Sequence, residues 1–499
     1  MSGMAGTPSS SPNRPSQGWR LEHSYSQLPQ PLHRAWNPTP AADPRLVIFN
    51  QGLAADLGLD ADALQHPETA GLFTGNILPE GARPIAQAYA GHQFGHFNIL
   101  GDGRALLLGE QITPAGQKCD IQLKGAGATP FSRGGDGRAA LGPMLREYLI
   151  SEAMFALGIP TTRSLAVAAT GQPVHRQETL PGAVLTRIAA SHIRVGTFEW
   201  AAAHGDPELL STLVDYSVSR HYPERQATGN AALALLEGAM DRQAALVARW
   251  MQLGFIHGVM NTDNMALSGE TIDYGPCAFM DRHHPDTVFS SIDRHGRYAY
   301  GRQPEIAQWN LARLAECLLP LLDPLPARAL DLANELISSF PGRFKSQWLT
   351  GYRAKLGLFT EEPEDATLVQ ELIEWMEHSE SDHTQTFLAL SAPGAVVTAP
   401  CQDRLFSTWH SQWLARLLRQ DASPAAARAL MLKHNPAVIP RNEHVEAALQ
   451  AATTEGDFAP FYRLVEVLAA PFNHDLARPA EYLRPPPKTA PPYKTFCGT

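Results

Sequence analysis

This sequence of 499 residues predicts an α+β fold of two lobes, with a strand-rich first lobe and a larger helical second one. Three observations carry that expectation. Between 85 and 200, short runs of alternating apolar and polar residues are broken by glycine-rich turns, the pattern of half-buried strands. From 203 onward apolar residues recur mostly at helical spacing. Within that second part, the stretch 253–281 gathers His257, Asp263, Asn264 and Asp273 among short apolar runs.

Composition narrows the class. A hydrophobic content of 44% and a mean hydropathy of -0.20 fit a soluble globular chain. The net charge of -10 argues against a general nucleic-acid or membrane-surface binder. No uncharged apolar run approaches the ~18 residues of a membrane-spanning helix, and the first residues lack the apolar core of a secretory signal. That N-terminus is Ser-rich and free of acids before Glu22, but its prolines spoil an amphipathic targeting helix. The five cysteines (119, 277, 317, 401 and 497) form no CxxC pair. A reducing, cytoplasmic setting without structural zinc is expected. With no coiled-coil pattern, a monomer is expected.

In order, residues 1–43 read as a flexible N-terminal extension and 44–200 as the first lobe. Residues 45–65 follow a helical rhythm, and 85–110 reads as strand, Gly101-Asp102-Gly103 turn, strand. Such a glycine turn, followed by Arg104, can bring backbone N–H groups to a phosphate, or it can be an ordinary hairpin turn. The next strand, 119–124, ends at Lys124 and precedes a glycine-rich stretch to Arg138. A helix follows over 141–157, with Pro143 near its start and Gly158 as its stop. It carries Glu147 and Glu152, which face roughly 140° apart, so only one can meet Lys124. Strands are expected between 160 and 200, with Arg187 and Arg194 as candidate phosphate donors or surface ion-pair partners. The second lobe, 201–483, has predicted helices over 229–253, 304–322, 326–341, 366–378, 404–419 and 459–469. Residues 484–499 form a Pro-rich tail containing Cys497.

The stretch 253–281 holds the chemistry. Asn264 follows His257 at the spacing of the protein-kinase catalytic loop, H-R-D-L-x-x-x-N, and Asp273-Tyr274-Gly275 is close to D-F-G. In kinases that Asn and that Asp hold magnesium. The kinase catalytic Asp is missing, because its position is Val259, while Asp263 lies nearby. The bland alternative is a turn between short strands, where Asn and Asp serve the backbone. Taken with the lysine strand and the glutamate helix, the pattern predicts a protein-kinase-like bilobal fold with the nucleotide between the lobes.

The chain further resembles the selenoprotein O family, pseudokinase-like protein adenylyltransferases. The resemblance runs from about residue 45 to near the C-terminus. It rests on Gly91-His-Gln-Phe-Gly-His, Gly101-Asp-Gly-Arg, Gln122-Leu-Lys-Gly-Ala-Gly, Gly135-Asp-Gly-Arg-Ala and Ser151-Glu-Ala-Met. It also rests on Gly158-Ile-Pro-Thr-Thr-Arg, His257-Gly-Val-Met-Asn-Thr-Asp-Asn-Met and Ile272-Asp-Tyr-Gly-Pro. Carried over by position, it implies that Lys124 binds phosphate and pairs with Glu147. Gly101, Gly103 and Arg104 would form the phosphate-facing turn, and Asp136 and Gly137 would lie against the nucleotide. Arg187 and Arg194 would grip the terminal phosphates. Asn264 and Asp273 would bind Mg²⁺ or Mn²⁺, Asp273 also contacting ATP, and Asp263 would be the catalytic base. The implied activity is transfer of AMP from ATP to Ser, Thr or Tyr hydroxyls of protein substrates, with the nucleotide reversed relative to a kinase. Vertebrate relatives carry selenocysteine near the C-terminus, and the corresponding readings of Cys277 and Cys497 are a regulatory disulfide between them or two unrelated free thiols. A γ-phosphate kinase and an inactive nucleotide-binding scaffold are the competing readings.

Overall fold

One antiparallel sheet organises the first half of the chain in the computed structural model, which describes residues 17–392, 403–487 and 493–495. Its strands are β1 (Leu21–Glu22), β2 (His33–Ala35), β3 (Arg45–Phe49), β4 (Ile85–Gln87), β7 (Ala105–Ile112), β8 (Lys118–Lys124), β9 (Ala139–Ala140), β10 (Arg163–His175) and β11 (Thr179–Ala189). They run in the order β2-β4-β7-β8-β11-β10-β3, with β1 on β7 and β9 on β11. A separate hairpin, β5 (Ala90–Gln93) and β6 (His96–Ile99), leaves the chain between β4 and β7.

The period-2 alternation of the strands divides the core in two. Leu106, Leu108, Ile121, Leu123 and Val184 face one way. There they meet Leu53, Leu57, Leu64 and Phe73 from the short helices α1 (Gln51–Asp56), α2 (Ala61–Leu64) and α3 (Ala70–Thr74). Leu107, Val167 and Leu185 face the other way, onto Leu145, Leu149 and Met154 of α4 (Leu141–Ala156). Pro143 lies in the first turn of α4, where no N–H partner is needed. Gly158 follows the helix in the left-handed region (φ 73°).

Helices make up most of the remainder: α5 (Val195–Ala203), α6 (Pro207–His221), α7 (Ala231–Leu253), α8 (Gln303–Leu322), α9 (Pro326–Lys355), α10 (Asp365–His378) and α11 (His383–Leu390). They continue with α12 (Arg404–Leu418), α13 (Pro424–His434), α14 (Asn442–Gln450), α15 (Ala459–Leu468) and α16 (Ala480–Leu483). Helix α7 is capped by Asn230, whose side chain accepts from Leu233 N, and ends at Gly254 (φ 70°). It delivers the chain to β12 (Phe255–Ile256), which pairs with β13 (Ala278–Phe279) and so pins both ends of the stretch between them. Late helices return to α4: the Phe461 ring of α15 lies 6.3 Å from Tyr148. Among the described residues no helix is long and apolar enough to cross a membrane.

The α+β class expected from the sequence is what the chain adopts, with four local differences. Residues 17–43 were expected in a flexible extension, yet β1 and β2 belong to the sheet and Tyr25, Leu28 and Leu32 are buried. The cause is Glu110: its carboxylate accepts from Ser24 N (2.9 Å), Ser24 Oγ (2.5 Å) and Tyr25 N (2.8 Å). Residues 45–49 form a strand rather than the start of a helix, because the edge of β10 offers partners to Leu46, Ile48 and Phe49. The expected hairpin over 85–110 is interrupted by β5–β6, so β4 and β7 share only the Ile85–Leu107 register. Helix α9 continues through Pro341 to Lys355. Phe340, Phe344, Trp348 and Tyr352 form an unbroken i,i+4 apolar stripe whose burial outweighs the backbone bond lost at proline.

Replacing Glu110 by Ala strips the acceptor from two inward-facing backbone N–H groups, each worth about 1–3 kcal/mol when orphaned. The variant is expected to unfold at lower urea concentration, and trypsin is expected to cut at Arg20 or Arg34 before the rest of the chain.

Candidate active site

A cleft of about 550 Å³ opens where the ends of β7 and β8, the start of α4 and the stretch 259–276 converge. Strand register determines what lines it. Lys124 ends β8 opposite Leu185, and Gln122 lies opposite Arg187, so the polar side chains share the face that looks onto α4. One helical turn after Pro143, Glu147 meets them.

There Lys124 Nζ donates to Glu147 Oε2 (2.7 Å) and to Asp273 Oδ1 (2.7 Å). Arg187 donates through Nε to Glu147 Oε1 (2.8 Å) and through Nη2 to Asp273 Oδ1 (2.5 Å). Arg194 Nη1 reaches Asp273 Oδ2 (2.9 Å) and the Asp263 carbonyl (2.8 Å), with its guanidinium 4.7 Å from the Tyr89 ring centroid. Three cations thus face two carboxylates in a site largely withdrawn from water. Burial opposes the charge on Asp273, but Arg187, Lys124 and Arg194 outweigh it and hold the carboxyl well below the usual range. Glu147 is lowered in the same way, by Arg187 and Lys124 against burial. Burial and Arg187 push Lys124 down, against its two carboxylates. Asp273 also has a left-handed backbone (φ 63°), unusual for a residue with a side chain, and its carbonyl accepts from Gly275 N (2.9 Å).

The other sequence-predicted residues fall around this cluster. Asp263 lies in a single 3₁₀ turn, Thr262–Asn264. Burial pushes its carboxyl up to about 6 despite Arg194. Asn264 lines the cleft and donates its amide N–H to Val259 O (2.9 Å), so its oxygen end is the one that could meet a cation. Oxygen from Asn264 together with Asp273 suits a hard divalent ion completed by phosphate. Among the described residues there is no group of three or more His, Cys, Asp or Glu that could hold a metal by protein ligands alone. His257 is fully buried and faces away from the cleft chemistry. Its Nε2–H donates to Ile272 O (2.9 Å) and Nδ1 accepts from Val259 N (3.4 Å), lacing the two sides of the stretch together.

Gly101 (φ 94°) packs under the Phe131 ring, where any Cβ would collide, and Gly103 and Arg104 continue the same wall of the cleft. Asp136 and Gly137 line the rim, where Asp136 is held by both Nη atoms of Arg176 at 3.0 Å. Glu152 does not reach the cluster and pairs instead with Arg163 (2.7 Å). Burial pushes the Cys277 thiol up to about 11, and its carbonyl accepts from Arg146 Nη2 (2.7 Å). Cys497, its expected disulfide partner, lies outside the described residues. Thr495, which is described, donates Oγ1 to Pro276 O (3.0 Å) and N to Phe289 O (2.8 Å).

Sequence reasoning missed Asp102, Arg146 and Gln93. Asp102 sits inside the noted Gly-Asp-Gly turn, but its carboxylate turns inward and accepts from Gln122 Nε2 (3.2 Å). Arg146, next to Glu147, donates to Gly275 O (3.1 Å) behind Asp273. Gln93 lies in the Gly-His-Gln-Phe-Gly-His motif, and its contact with Asp263 spans 170 residues, which no local pattern announces.

The model of the family described as protein adenylyltransferase SelO matches residues 19–469. A protein nucleotidyltransferase YdiU from Brevibacillus brevis is 57% identical over 482 residues, covering 97% of this chain and 98% of the relative. Proteins of the same name from Alkaliphilus metalliredigens (57%) and Syntrophotalea carbinolica (55%) match over the same shares of both chains.

Removing Glu147 leaves Lys124 and Arg187 short of their shared counter-charge in a dry site, a loss of about 3–5 kcal/mol for a broken buried pair. Glu147→Ala is therefore expected to lower the urea unfolding free energy by that order, whereas Glu152→Ala, at a wetter pair, is expected to cost less.

Proposed function

The chain belongs to the family of protein adenylyltransferase SelO, and from that premise we propose that it transfers AMP from ATP to Ser, Thr or Tyr hydroxyls of protein substrates, releasing pyrophosphate. The sheet with α4 acts as the first lobe of a protein-kinase-like pair and the helices from α5 onward as the second, with the nucleotide between them. The observation that carries this reading is the convergence of Lys124, Arg187 and Arg194 at one end of the cleft. The same cleft has Val259 where a kinase carries its catalytic carboxylate.

AMP transfer breaks the bond between the α-phosphorus and the oxygen bridging to the β-phosphate, and the leaving group carries several negative charges. Clustered cations stabilise that charge as it develops, which is most of what phosphoryl-type transfer asks of a protein. With the β and γ groups drawn to the three cations, the α-phosphate is left facing Asp263. The acceptor hydroxyl oxygen attacks the α-phosphorus, and its proton passes to Asp263. A carboxyl raised toward 6 is a better proton acceptor than a free one, though still far from a hydroxyl, so it orients the acceptor and takes the proton late. Asn264 and Asp273 are the residues that would hold Mg²⁺ or Mn²⁺, which when bound neutralises phosphate oxygens. Gly101, Gly103 and Arg104 would close over the phosphates, and Asp136 and Gly137 would border the nucleotide at the rim.

The testing experiment is label transfer to a general acceptor protein from ATP labelled at the α or the γ phosphate. Label from α alone is expected, abolished by a chelator and by Asp273→Ala. Label from γ alone would make the chain a kinase, and bound nucleotide with no transfer would make it a scaffold. The pH dependence has a definite sign. Asp263 must be ionised to accept a proton, so transfer is expected to fall as pH drops through about 6, with little change between 7 and 8 from this group.

A further inference from the structure

The β5–β6 hairpin adds no strand to the main sheet, yet it is fastened to the catalytic turn. It closes through Phe94 and Gly95, both at positive φ (52° and 87°), the two-residue turn that matches strand twist. Three consecutive residues of this hairpin bond residues 261–263, the cap and first two residues of the turn. His92 N donates to Thr262 Oγ1 (2.7 Å), Gln93 Nε2 to Asp263 Oδ2 (3.2 Å) and Phe94 N to Asn261 Oδ1 (3.2 Å). A buried carboxylate locks the arrangement from α5: Glu199 accepts from His92 Nδ1 (2.5 Å) and from Thr262 Oγ1 (2.6 Å). Gly91 lets the hairpin backbone approach so closely that any Cβ there would collide with the Asp263 carboxylate.

We propose that this hairpin is the positioning device of the reaction: Gln93 orients the Asp263 carboxylate, and the His92–Glu199–Thr262 chain fixes the turn that carries it. The proposal rests on the reading of Asp263 as the proton acceptor. Gln93 holds Oδ2, while Oδ1, which has no hydrogen-bond partner among the described residues, is buried against the Gly91 backbone. The hairpin thereby sets both oxygens, one by a hydrogen bond and the other by close packing, and so fixes the plane of the carboxylate. Without the amide the carboxylate can rotate about its own bond, and small misplacements of a reacting group cost about 100-fold in rate. Gln93 and Glu199 are positioning residues, since neither need touch the reacting atoms.

The test measures AMP transfer from α-labelled ATP, with ATP affinity measured separately, in Gln93→Met, Glu199→Ala, Asp263→Ala and the double variant Gln93→Met/Asp263→Ala. Gln93→Met keeps the length of the side chain and removes its donor. It is expected to lower kcat by about 10- to 100-fold while the KM for acceptor protein and the affinity for ATP stay within about twofold. Glu199→Ala is expected to behave alike, and the double variant to be no slower than Asp263→Ala alone, because the two residues act as one unit. Full kcat in Gln93→Met beside an inactive Asp263→Ala overturns the proposal, as does a Gln93→Met defect that multiplies upon the Asp263→Ala background. Wild-type transfer by Asp263→Ala brings down the proton-acceptor reading instead. If Gln93→Met fails to fold, the near-isosteric Gln93→Glu serves: it sets carboxylate against carboxylate, and an unchanged kcat in it overturns the proposal.

Discussion

Lys124, Glu147, Arg187, Asp273 and Arg194 form a single ion network, and the rest of the molecule is arranged to hold it out of water. Stripping charges of solvent is expensive, and pairing repays it only when geometry is good and every donor is matched. Here β8 supplies the lysine, β11 one arginine, the α5 cap the other, α4 the glutamate and the loop after β12 the aspartate. No element can shift alone without leaving a charge unmatched. The odd count also matters. Three positive groups against two negative ones leave an excess that an anion can complete, so the network holds the fold together while staying unsatisfied on its cleft side.

The sheet makes this possible by letting neighbouring strands share a face. Gln122, Lys124 and Arg187 project toward α4 because strand side chains alternate, and the same alternation sends Ile121, Leu123 and Val184 into the opposite core. Helix α4 is held from behind by α14 and α15, so Glu147 is placed by packing on two sides. The loop with Asp273 is held between β12 and β13 and laced by His257. The histidine that first draws the eye in the sequence is thus a structural tie, and the groups proposed to react are its neighbours in the chain.

How much of this was legible in the sequence depended on how local its cause was. The strand ending at Lys124, the helix with Glu147 and the turn with Asp263 and Asn264 each announce themselves by spacing within a short window. The choice between Glu147 and Glu152 needed only helix rotation and the family resemblance, and the structure pairs Lys124 with Glu147. What could not be read was set by partners far along the chain. Residues 45–49 become a strand because β10 has a free edge. Residues 24 and 25 are ordered by Glu110. Helix α9 survives its proline because the apolar stripe beyond Pro341 finds a core. The Gln93–Asp263 contact, 170 residues apart, has no local trace at all.

Thr495 gives the architecture an order in time. The backbone around 289–291 and the carbonyl of Pro276 take their last partner from a residue 219 positions downstream of that proline. A chain emerging from the ribosome carries every strand of its sheet, α4 and all five charges of the ion network long before that residue exists. The segment behind the Asp273 loop remains incomplete through the synthesis of every helix from α8 to α16. The support of this loop is therefore supplied only after every residue lining the cleft has been synthesised.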